Sequence, residues 1–150
     1  MDIAFKKLSE QEHTVRICRE DGSIDSAILN SRSFLRHDLA HLAVETQLSL
    51  ARGYWGSVAS GAALDGMEIR GPDIILAEKL AGPVQTLMRI EASDAQFYSA
   101  LARILPELIT PELASRIRVH GRKLQGHWQG TVFGDEMQVM WQVPLTKKSD

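Results

Sequence analysis

A chain of 150 residues, 44% hydrophobic and 24% charged, is long enough for one domain with a real core and too short for two comfortable ones. Its 19 acidic residues against 17 Lys plus Arg give a formal net charge of -2, which excludes a global field drawing it to nucleic acid or an anionic membrane. The single cysteine, Cys18, excludes an internal disulfide and a multi-cysteine zinc site within one chain.

Residues 1 to 10, Met-Asp-Ile-Ala-Phe-Lys-Lys-Leu-Ser-Glu, lack the apolar core of a signal peptide. No apolar run approaches the roughly 18 residues that a membrane span requires. The expectation is a soluble, cytoplasmic protein with a single domain over residues 1–150. Residues 13 to 20 and 23 to 30 predict a β-hairpin. Thr14 to Arg19 alternates with β-branched residues, and Asp21-Gly22 is a strong turn signal because both residues tolerate positive φ. Cys18 reads as a small residue of that strand, with no nucleophile signature around it.

Ser31-Arg32-Ser33 breaks the hairpin and offers hydroxyl caps to a helix expected from about Phe34 to Arg52, with Gly53 as its stop. A short helix of small residues is expected over Tyr54 to Leu64, where no phosphate-loop motif is present. Asp73 is placed to cap a third helix, in which Gly82-Pro83 predicts a kink or a break. Ser93-Asp94-Ala95-Gln96 is a capping box, and Thr110-Pro111 starts a helix that runs toward Gly130. Met137, Val139, Trp141 and Val143 alternate with polar residues and Met140 as a half-buried strand ending at Pro144, before a tail expected to be mobile. The fold class is therefore α+β: a small antiparallel sheet, made of the N-terminal hairpin and the C-terminal strand, packed on one face with four or five helices.

Chemistry concentrates in His37-Asp38-Leu39-Ala40-His41-Leu42-Ala43-Val44-Glu45. On a helix, His37 and His41 stand one turn apart on one face, which suits two ligands of one metal ion. The candidate metal ligands are His37 and His41, binding zinc or another divalent ion through neutral imidazoles. Asp38 and Glu45 are the candidate catalytic carboxylates, to orient a ligand or activate bound water. Glu45 lies eight residues from His37, about 12 Å along a helix, so a third ligand is expected elsewhere. Asp65, Glu68, Asp73, Glu78, His120 and His127 are the available donors.

The pattern HDxxHxxxE at His37 to Glu45, followed by Gly53-Tyr54-Trp55-Gly56, resembles a group of functionally unassigned small bacterial proteins with an HDLxH-type helix. That resemblance implies no activity. HDxxH is also similar to the motif of the zinc proteins of coenzyme Q biosynthesis, whose pattern continues with eleven residues and a glutamate. Here that place is Gly53. Zinc peptidases of the HExxH type carry glutamate where this chain has the shorter Asp38. The HD phosphohydrolases share the His37-Asp38 doublet but need an upstream histidine, and the one available, His13, falls on a strand.

The function expected is a divalent-metal-binding protein, in particular a small metal-dependent hydrolase. The alternative is a non-catalytic binding or regulatory module. A third possibility is a buried polar network without a ligand. The partner is an unknown small molecule or protein. The cluster Arg116, Arg118, Arg122 and Lys123 reads as a solvated helix face, so neither specific nucleic-acid binding nor membrane binding is expected.

Overall fold

Three stretches at the start of the chain place apolar residues at every second position, and each forms a strand. A computed structural model describes residues 1–142, with β1 over Asp2–Lys7, β2 over Glu12–Cys18 and β3 over Ile24–Asn30. A π-helical turn, Ser31–Leu35, leads into α1, Arg36–Gln47. Then come α2, Tyr54–Ala59; α3, Pro72–Arg89; α4, Asp94–Ile104; α5, Pro111–Gly130; and β4, Glu136–Met140. The strands form one antiparallel sheet in the order β3-β2-β1-β4. This is the expected α+β arrangement of hairpin, C-terminal strand and five α-helices. The hairpin turns at Gly22, whose φ of 84° is the left-handed value the Asp-Gly pair was expected to adopt.

The strand missed in the sequence is β1. It lies between the hairpin and β4, so β4 joins the hairpin only through it. Its register sets Ile3 opposite Ile17 and Val139, and Phe5 opposite Val15 and Met137. All but the partly buried Val139 are fully buried, and they form the inner face of the sheet. The outer face carries exposed residues such as Arg16, Ile28 and Gln138.

Two apolar clusters meet at α1. Leu35, just before it, and Leu39, Leu42 and Ala43 pack with the sheet, Trp55 and Leu124. Ala40 and Val44 pack into a second cluster built by α3, α4 and α5. Sandwiched on two sides, α1 is buried continuously from Asp38 to Glu45. Asp38, His41 and Glu45 therefore lie inside the protein, and His37 is half-buried at its edge.

Several boundaries differ from expectation. The π-helical turn occupies the start of the expected first helix, with Asn30 rather than a serine accepting from the backbone N–H groups of Arg32 and Ser33. The helix ends at Gln47, not Arg52: Ser49 turns to a φ of 56° and the Leu50 N–H donates to the Glu45 carbonyl. The short helix stops at Ala59. The third helix is capped at Gly71, and Asp73 instead accepts from the Arg52 N–H at 2.9 Å. It runs through Pro83 unbroken. The capping box at Ser93 and the Thr110 cap form as expected. The expected strand end at Val143-Pro144 and the tail lie outside the described residues.

Candidate metal centre

Helical geometry places His37 and His41 on one face of α1, and their Nε2 atoms face each other 3.1 Å apart. Two ligand nitrogens held tetrahedrally, each about 2.05 Å from a zinc ion, stand about 3.3 Å apart. The pair is thus already at the spacing of two ligands of one ion. The third donor comes from α3. Ala77 and Ala81 are fully buried and let α3 approach α1 closely, and between them Glu78 reaches back to the histidines. Glu78 Oε1 lies 3.1 Å from His41 Nε2, and Oε2 lies 3.7 Å from His37 Nε2. One donor atom from each of His37, His41 and Glu78 lies within 4.8 Å of the other two, so this group could hold a metal ion.

The other nitrogen of His41 is held from behind. Nδ1 lies 2.9 Å from Oε1 of Glu45, a carboxylate with no exposed surface. Donation from Nδ1–H to the carboxylate leaves Nε2 as the atom turned to the cluster. The same carboxylate accepts the backbone N–H groups of Tyr54 and Trp55, at 2.5 and 2.9 Å. It can lie there because residue 53 is glycine: a Cβ on Gly53 would stand 2.4 Å from Glu45 Cδ. Trp55 completes the brace, its indole N–H donating to the Asp38 carbonyl at 3.1 Å.

The electrostatics follow from burial against charge. Burial pushes the His41 pKa down, but the hydrogen bond and charge of Glu45, with help from Glu78 and Asp38, outweigh it and hold the pKa above the ordinary histidine value. His37 has no such brace, and burial followed by the neighbouring His41 takes its pKa below that value. Asp38 is 7% exposed, and burial pushes its carboxyl up to about 7 against the opposing pull of His41.

The cluster opens into a cleft of about 450 Å³. Asp38, Asp65 and Tyr54 line it with the three donors, and the rest of the wall is mostly apolar. Glu45 is not in that wall; its carboxylate faces His41 Nδ1 and the backbone of α2. Of the other donors considered, Asp73 is engaged by Arg52, and His120 lies beside Gln47 at 3.3 Å. Glu68 and His127 are outside the cluster, which among the described residues draws only Glu78 to the histidines. Nothing in the sequence marks Glu78 except its place between two small residues on the border of a buried helix face. Comparison with family profiles, curated proteins and solved structures finds no significant match to this chain.

Proposed function

We propose that this protein is a small metal-dependent hydrolase in which His37, His41 and Glu78 hold one zinc-class ion. The observation that carries the reading is the convergence of His37 Nε2, His41 Nε2 and the Glu78 carboxylate, with the far nitrogen of His41 braced by a buried glutamate. Three protein donors with a free position toward a cleft are the usual plan of a catalytic zinc site rather than a closed structural one. An ion held there supplies Lewis acidity and lowers the pKa of water in its open position. Glu45 fixes the ring of His41 and keeps its Nε2 turned to the ion. To Asp38, a nearly buried carboxyl in the cleft wall, we assign the role of accepting a proton from a nucleophile in the cleft.

Metal content of the purified protein and a zinc titration test the first half. The expected result is one ion per wild-type chain, loss of nearly all of it in His41→Ala, and affinity weakened about 10- to 100-fold in Glu45→Gln, the usual effect of removing a ligand's hydrogen-bond partner. Wild type that takes up zinc no more tightly than His41→Ala would end the proposal. The second half is tested with p-nitrophenyl acetate: zinc-dependent hydrolysis is expected to fall by about 10²-fold or more in Asp38→Asn at unchanged metal content.

A further inference from the structure

The cleft carries information about what it takes. Leu29, Phe34, Leu64, Met67, Ile69 and Ile74 form its apolar wall, and they come from β3, the π-helical turn, the segment after α2 and the start of α3. Apart from His37, His41 and Tyr54, the ionisable residues in the wall are all carboxylic acids: Asp38, Asp65 and Glu78. Among the described residues no lysine or arginine lines it. Sites for phosphate esters and other polyanions present arginine or lysine to the substrate's oxygens. Here an anion would find the ion alone, with acidic side chains around it. A volume of about 450 Å³ is that of a small-molecule pocket.

We infer that the site takes an uncharged small molecule with an apolar body, such as a neutral ester or amide of an aromatic or branched acid, bound to the metal through one polar atom while its body lies on the wall around Phe34, Met67 and Ile74. This rests on the metal reading above and adds the substrate class to it. Phe34 and Met67 are 48% and 73% exposed although apolar, and both stand in the wall, where a bound body would cover them.

Cobalt-loaded protein provides the test, since Co²⁺ occupies the same kinds of nitrogen and oxygen sites as zinc and its visible bands respond to ligands in the open position. Imidazole, 4-phenylimidazole and inorganic phosphate are titrated at about pH 8, where imidazole is neutral. The phenyl ring is expected to lower the half-saturating concentration about tenfold or more through apolar burial, with phosphate the weakest of the three. Phe34→Ser and Met67→Glu change exposed side chains that donate nothing to the ion. Both are expected to keep the cobalt spectrum and to shrink the phenyl advantage to under about threefold. A normal cobalt spectrum with imidazole and 4-phenylimidazole at parity, or with phosphate the tightest, overturns this inference alone. A tenfold advantage that survives both substitutions overturns the placement of the body in this cleft. Failure to bind cobalt at all overturns the metal reading and this inference with it.

Discussion

At Gly53 the missing side chain matters more than backbone freedom, because φ is an ordinary -71° and the obstruction is the Glu45 carboxylate. That carboxylate is held by His41 and two backbone N–H groups and has nowhere to retreat. Gly53→Ala is therefore expected to destabilise the metal-free protein by about 1–3 kcal/mol, the usual range for overpacking, in urea unfolding. His13 provides a second residue-level test. It is fully buried on β2, with Nδ1 2.9 Å from the Ser31 hydroxyl and Nε2 without a partner among the described residues. Burial lowers its pKa to about 4 from 6.5. The unfolded chain binds this proton between those values and the folded chain does not, so stability is highest above about pH 6.5 and is lost as pH falls toward 4. The shift is worth about 3 kcal/mol. Denaturation midpoints of wild type and His13→Phe at about pH 7 and 4.5 should show a smaller drop in the variant. Two of the three residues that could hold a metal ion were legible, because helical spacing alone puts His37 and His41 together. Which way Glu45 turns was not legible, since it depends on a glycine eight residues away meeting it in space.

At the scale of the elements, α3 shows how local rules combine. Pro83 removes one backbone donor, yet the helix continues. Gly82 before it has no Cβ to collide with the proline ring, the contact that normally disfavours helix at that position. Gly126 in α5 also meets nothing within 4 Å of an added Cβ and is exposed, but precedes no proline. Thermal unfolding should separate the two: Gly126→Ala is expected to stabilise by about 0.5–1 kcal/mol, and Gly82→Ala to give no gain. Most elements were legible because their signals are local: the Asp21-Gly22 turn, the Ser93 box and the Thr110-Pro111 start all hold. β1 was not, although Ile3 and Phe5 alternate, because two lysines end the stretch and its partners lie elsewhere in the chain. The end of α1 was misplaced for the opposite reason. A glycine stop at residue 53 is a good local signal, but the chain leaves the helix earlier so that Leu50 can enter the core.

For the molecule as a whole, positive charge on α5 is partly spent internally. Arg118 donates to the Ala92 carbonyl at 2.9 Å and pairs with Asp94 at 3.2 Å. Arg116, Arg122 and Lys123 remain for solvent on a chain of net charge -2. Binding to duplex or single-stranded DNA is accordingly expected to be weak at physiological salt, and submicromolar affinity abolished in Arg116→Ala/Arg122→Ala would point to a nucleic-acid partner instead.

The interior position of β1 has a kinetic consequence. Its neighbour on one side, β2, is available within a few residues, whereas β4 lies across almost the whole described chain. Closure of the longer loop comes at greater entropic cost, so the β1–β2–β3 meander is expected to assemble first and wait with one edge open. Until β4 arrives, the N–H and C=O groups along that edge are a template for any extended segment, including the same strand of another nascent molecule. Stopped-flow refolding should expose the order: Val15→Ala, in the meander, is expected to slow refolding, while Met137→Ala, in β4, should act mainly by speeding unfolding. If both substitutions slow refolding equally, the last strand is already in place at the barrier, and the open edge never accumulates.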